Sequence, residues 1–191
     1  MREDERLALG RRDGAYYADA LRRAIDAEHR RANVLQSIIS AADQVWERSP
    51  QGLIKHLVNE RLDAAEPVLD MYQQVIPAGG HSGRHRHFSE ELLFVVEGSG
   101  YDLHWDPIFE PDVRYEWAWQ QEPRRYEWQA GDYVWIPPYS IHQHFADTGG
   151  RARFVSATVR IVRELGYDGL EQLAEASPVD ESVLDATGVP S

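Results

Sequence analysis

The spacing of apolar residues changes period along the chain. From Tyr16 to Trp46 they recur in pairs at helical spacing: Tyr16/Tyr17, Ala20/Leu21, Ala24/Ile25, Val34/Leu35, Ile38/Ile39 and Val45/Trp46. That pattern predicts one long helix or two shorter ones. Asp13 is placed to cap the start, and Ser49-Pro50-Gln51-Gly52 ends the pattern. The apolar stripe needs a cover, either the outside of its own domain or a second subunit. A helix this long overhangs a small domain, which points to a homodimer.

Beyond it, short apolar runs broken by Gly, Pro and Asp predict strands at Leu53–Val58, Val68–Ile76, Leu92–Glu97, Tyr101–Trp105, Tyr133–Ile136, Ile141–Phe145 and Arg153–Val162. Many short strands with such turns indicate a mainly-β sandwich or barrel. A short helix is expected around Leu170–Ala176, and Ser177–Ser191 reads as a mobile tail with few apolar residues. The expected organisation is a helical segment over 1–50, a β-domain over 51–165, and a short helix and tail over 166–191.

Composition narrows the chemistry. The 191 residues carry 32 Asp+Glu against 20 Lys+Arg, a formal charge of −12. A chain this acidic is poorly suited to nucleic acid or an anionic membrane surface. There is no cysteine, so disulfides, thiolate metal sites and cysteine nucleophiles are excluded. No segment reaches the roughly 20 apolar residues of a membrane span, and the charged N-terminus does not read as a signal peptide. These features predict a cytoplasmic protein.

The eight histidines are unevenly spread. His85 and His87 are two apart, so on a strand they share a face while Arg86 points away. Glu91 follows four residues later, and these three can occupy one side of a metal ion. A fourth ligand must come from elsewhere, with His142 the natural candidate. Imidazole and carboxylate donors suit Fe(II), Mn, Ni, Cu or Zn.

The run Gly79–Gly98, GGHSGRHRHFSEELLFVVEG, resembles the first motif of the cupin superfamily, with Gly79, His85, His87, Glu91 and Gly98 at the family spacing. The run Gly131–Ala146, GDYVWIPPYSIHQHFA, resembles the second through Gly131, Pro137 and His142. The resemblance covers roughly Leu53 to Val162. It implies a cupin double-stranded β-helix, a jelly-roll barrel, with one divalent transition metal inside, held by His85, His87, Glu91 and His142. Two positions depart: Tyr139 stands where the family has a glycine, and Ala146 where it has an asparagine. A nearer likeness is to gentisate-type ring-cleaving dioxygenases, which implies Fe(II). Those enzymes are usually longer bicupins that use three histidines without the glutamate, so Glu91 departs from them.

Residues 101–128 hold Tyr101, Trp105, Phe109, Tyr115, Trp117, Trp119, Tyr126 and Trp128. They can wall the barrel, line a pocket for a planar substrate, or form a lid or dimer contact. Period-2 spacing puts Trp117 and Trp119 on one face. His144 shares a face with His142 and can orient a ligand, act as a catalytic acid or base, or be a hydrogen-bonded inward residue. Gln73 is expected to face the cavity, with Tyr72 and Gln74 turned away.

The resulting expectation is an oxidoreductase: a metal-dependent dioxygenase for a small hydroxylated aromatic or related oxygen-chelating substrate. A non-oxidative isomerase or lyase, and a ligand-binding cupin without catalysis, are the alternatives.

Overall fold

The computed structural model describes residues 16–33, 35–62, 64–65, 68–108 and 117–179. Asp13, Val34, Phe109, Tyr115 and the tail from Asp180 onward lie outside them. Helix α1, Tyr16–Asn33, is shorter than the apolar pairing predicts. Residues 35–45 are irregular apart from a 3-10 turn at Ala41–Asp43, and Trp46 already belongs to a strand. The pairs beyond α1 are rich in β-branched residues, which favour extended backbone over helix. Gln36 is tied to Ala64 by a bridge, and Trp46 pairs with Lys55.

The strands follow as β1 Trp46–Ser49, β2 Gly52–Val58, β3 Leu69–Ile76, β4 Arg84–Arg86, β5 Glu91–Glu97, β6 Ser99–Trp105, β7 Pro107–Ile108, β8 Ala118–Trp119, β9 Arg124–Gln129, β10 Tyr133–Ile136, β11 Ile141–Ala146 and β12 Ala152–Val159. A single helical turn, α2 Ile161–Glu164, leads to β13, Glu171–Ala174. One sheet has the order β1-β2-β3-β12-β5-β10, and a second β13-β4-β11-β6-β9. All pairings between these strands are antiparallel. Together the two sheets form the expected jelly-roll barrel.

β13 corrects the helix expected around Leu170–Ala176. Leu170, Leu173, Ala174 and Ala176 have helical spacing, but this segment lies against the open edge of β4. Glu171 pairs with Arg86, and the Gln172 amide donates to the Arg84 and Ala174 carbonyls. Backbone pairing to an otherwise open edge outweighs local propensity here. The tail continues this attachment, since Ser177 N–H donates to the His81 carbonyl.

Inside the barrel, polarity changes with depth. On β5 the inward residues run Glu91, Leu93, Val95, while Leu92, Phe94 and Val96 are exposed. On β12 they run Thr158, Ser156, Phe154, and on β11 His142, His144, Ala146. The apolar ends converge with Ile76, Trp128, Ile136 and Ala152 into one core. The polar ends meet at the opposite end of the barrel.

Gly98, at the β5–β6 turn, has φ +88°, and a Cβ there would press on the Arg151 carbonyl and lie 2.9 Å from Ala152 Cα. Gly131 has φ +95° with nothing within 4 Å of such a Cβ. Gly98→Ala should therefore lower stability in urea by about 1–3 kcal/mol, and by more than Gly131→Ala. Equal losses would mean that backbone conformation, not the contact with Arg151, sets the need for glycine.

Candidate metal centre

Four side chains meet where the polar ends converge. His85 comes from β4, His87 from the residue after it, Glu91 from the first residue of β5, and His142 from β11. His142 and His85 are directly paired across β11 and β4. All four are buried, and one ligand atom from each lies within 4.8 Å of the others. The His85 and His142 rings are 4.1 Å apart between centroids, and those of His87 and His142 5.1 Å.

Each imidazole is aimed by a backbone carbonyl. His85 Nδ1 contacts Gly83 O at 3.4 Å, His87 Nδ1 contacts Ser89 O at 2.7 Å, and His142 Nδ1 contacts Ser140 O at 2.9 Å. A carbonyl can only accept, so Nδ1 carries the proton in all three. Each Nε2 is thereby turned toward the centre, the arrangement that orients metal-binding histidines.

Glu91 is fixed by one oxygen. Its Oε1 accepts from the Tyr72 hydroxyl at 2.7 Å and from the Ser156 hydroxyl. Its Oε2 faces the histidines, 2.9 Å from His87 Nε2 and 3.4 Å from His142 Nε2. Burial alone would raise the Glu91 carboxyl, but contacts with His142 and His87 hold it well below the usual range. Burial pushes His142 down to about 4 and His85 well below its ordinary value. Both rings are therefore neutral near pH 7, the state that ligation requires. His87 is raised: burial opposes its charge, and the bond to Glu91 outweighs burial. His142 Nε2 is buried without a hydrogen-bond partner, and a cation at the point of convergence would satisfy it. The donor set fits a first-row divalent ion.

Tyr72 reverses the expected register of β3. Tyr72 pairs with Ser156, and both face inward. Gln74 is buried too, so Gln73 belongs to the other face. The apolar pattern of MYQQVI leaves this choice open, since both alternating sets hold polar residues.

His144 does share the His142 face, but deeper. It is fully buried, with Nδ1 2.9 Å from Asp102 Oδ1 and its ring 5.1 Å from Phe154. Asp102 also accepts from Trp128 Nε1 at 2.7 Å and lies 3.4 Å from His104 Nε2. Burial opposes the Asp102 charge, yet His144 and His104 hold its carboxyl far below the ordinary range, while Asp102 raises His144 against its own burial. This second buried cluster was not legible in the sequence, where Asp102 and His104 carry no motif.

A cleft of about 690 Å³ opens over His85, His87 and Glu91. The described aromatic residues of 101–128 do not line it. Trp117 and Trp119 do share a role, with rings 5.0 and 5.6 Å from Tyr139, and Trp119 Nε1 donates to the Tyr139 carbonyl. Tyr126 and Trp128 border a separate groove between β9 and β10. Tyr139 has φ +66° and follows Pro138 in a turn closed by Ser140 N–H to Pro137 O. The turn thus keeps a glycine-like conformation despite the larger residue, and the surrounding rings, with Arg86 5.2 Å from the Tyr139 centroid, hold it there.

If Oε1 tethering aims Glu91, Tyr72→Phe should weaken metal binding about 10–100-fold while leaving one equivalent bound. His142→Ala should abolish tight binding. Titration against a competing chelator measures both, and a wild-type affinity for Tyr72→Phe would show that Glu91 needs no tether.

No family model and no curated protein matches the chain. Solved structures do. A variant of oxalate decarboxylase from Bacillus subtilis superposes with a TM-score of 0.52 at 17% identity, over 72% of this chain and 30% of that one. Salicylate 1,2-dioxygenase from Pseudoaminobacter salicylatoxidans, solved with gentisate, gives 0.51 at 14% identity, over 66% and 30%. A cupin-like protein from Thermotoga maritima gives 0.47 at 20% identity, over 69% and 89%. The chain spans about 30% of the length of the decarboxylase and dioxygenase chains. With two antiparallel sheets closed on a buried His/Glu cluster, the chain has the cupin fold.

Proposed function

We propose that the chain is a metal-dependent cupin enzyme, and that His85, His87, Glu91 and His142 hold one divalent transition metal, Fe(II) first among Mn, Ni, Cu and Zn. The convergence of three oriented Nε2 atoms and one tethered carboxylate oxygen on a cleft carries this reading. The substrate is a small molecule that chelates through adjacent oxygens, such as a catechol-like, hydroxy-carboxylate or enolate group. Iron would supply the redox chemistry of a dioxygenase, and the other ions Lewis acidity. The protein's part is to keep His85 and His142 neutral, to fix Glu91, and to bury the centre beneath the cleft. His144 acts in this reading as a positioning residue behind His142, because it borders neither described cleft. A lyase or isomerase is the second reading, favoured by Glu91 and by a cleft with no Trp or Phe among the described residues that line it.

Purified protein should bind one equivalent of metal, and His85→Ala should lose it. Fe(II)-loaded protein should then consume oxygen with a chelating hydroxy acid. Turnover with Mn or Zn but no oxygen uptake would select the lyase or isomerase instead.

The proposed quaternary state is a homodimer. Tyr133 pairs with Phe94 and Trp135 with Leu92 on the outer face of β10 and β5, and with Val96 all are exposed. These side chains offer on the order of 500 Å² of apolar surface, most of the roughly 800 Å² per partner in a stable interface. The Tyr17, Leu21 and Ile25 stripe of α1 is exposed as well. Light scattering should give twice 21.9 kDa for the wild type and the monomer mass for Phe94→Glu with unchanged circular dichroism. A monomeric wild type at micromolar concentration refutes the dimer.

A further inference from the structure

The lining of the metal cleft says more about its ligand than the metal centre does. Among the described residues, Tyr72 is the only aromatic one bordering it besides the imidazoles of His56, His85 and His87, and the Tyr72 hydroxyl is committed to Glu91. The walls mix polar side chains with aliphatic ones, Pro50, Ile54, Met71 and Leu170 among them. No Trp or Phe among the described residues lines it to stack on a planar apolar ring.

Most charged groups in the lining have a partner close by. Glu47 pairs with His56 at 3.0 Å, and Asp70 with Arg163 at 2.8 Å and Arg160 at 3.3 Å. Arg61 differs: it is exposed at the cleft, and its guanidinium has no ion-pair partner among the described residues. It is carried on the single 3-10 turn Glu60–Leu62. Asn59 caps this turn, its side-chain oxygen accepting from Arg61 N at 3.0 Å and Leu62 N at 3.2 Å. The cap fixes the start of the turn and leaves the Asn59 amide N–H groups for another acceptor. Thr158, directly opposite Glu91 on β12, borders the same space. Asp168 borders it from the other side, its backbone carbonyl held by Phe88 N–H.

Formal charge then selects the ligand's sign. Glu47, Asp70, Glu91 and Asp168 face Arg61, Arg163 and, behind Asp70, Arg160, so a divalent cation leaves the loaded cleft with one net positive charge. A carboxylate is favoured, and the hydroxyl donors and acceptors at Thr158, Asn59 and Asp168 match a ligand rich in hydroxyl groups. We propose that this cleft takes a small aliphatic hydroxy acid, its carboxylate directed to Arg61 and its hydroxyls to Thr158, Asn59 and Asp168. The proposal rests on the metal-centre reading and names the ligand class for that same site.

The test uses full-length protein loaded with one equivalent of Mn(II), metal content being measured in every sample. Calorimetry compares gluconate with sorbitol, its uncharged counterpart, and with 2,5-dihydroxybenzoate as the aromatic hydroxy acid. Gluconate should bind at least tenfold more tightly than either. Arg61→Gln should weaken gluconate binding tenfold or more at unchanged metal content, while Arg61→Lys, which keeps the charge, should recover part of it. Tighter binding of 2,5-dihydroxybenzoate, or an Arg61→Gln variant with wild-type gluconate affinity, overturns the proposal. Metal uptake without gluconate binding overturns it while leaving the metal centre standing. Failure to take up metal overturns the metal reading, and this proposal with it.

Discussion

A carboxylate with no solvent exposure constrains everything around it. An ion buried without compensation costs several kcal/mol, so Glu91 can be where it is only if both oxygens are matched. Two hydroxyls, from Tyr72 on β3 and Ser156 on β12, serve one oxygen; His87 and His142 face the other. These four partners come from separate stretches of chain in both sheets. The strand registers are therefore tied to the electrostatics. A shift of β3 by one residue would turn Tyr72 outward and leave the carboxylate short of a donor. Asp102 repeats the solution deeper in the barrel, with Trp128, His104 and His144 around it. The two buried acids, each matched to histidines, turn what would be apolar barrel interior into a polar half-core.

The depth gradient follows from the same need. Strands β5, β11 and β12 each place an apolar side chain at the closed end and a polar one at the open end. The apolar residues can pack without regard to partners, but the polar ones must converge. That makes the open end the place where sequence changes are least tolerated and where an ion can be held.

Much of this was legible in the sequence, for a physical reason. His85, His87 and Glu91 belong to one short stretch whose spacing alone brings them to one face. The motif around His142 carries the turn residues that aim it. Strand positions were readable wherever alternation was clear, as in Glu91–Glu97. Legibility failed where a residue's role is set by a remote partner. Tyr72 and Gln73 are chemically equivalent choices until β12 pairs with β3. Glu171–Ala174 looks helical until the edge of β4 is known to be open. The paired apolar residues after Asn33 keep helical spacing, yet Trp46 is recruited by β2. The aromatic run misled differently: Trp117 and Trp119 share one face as expected, but they pack around Tyr139, whose turn conformation normally demands glycine.

That last detail bears on how the site can be altered. The residues that converge on the metal position are oriented by backbone carbonyls of Gly83, Ser89 and Ser140, and Tyr139 helps form the turn that carries Ser140. The groups that face a ligand come from other places: the turn after β2, the end of β12, and the segment leading into β13. Because the two sets occupy different elements, a change at Arg61 or Thr158 leaves the carbonyls that aim the histidines untouched, whereas Asp168 is tied to Phe88 beside His87. In the proposed reading, ligand choice through Arg61 is thus separable from metal holding. The burial of Glu91 fixes the centre, and the more open wall around Arg61 is free to set what approaches it.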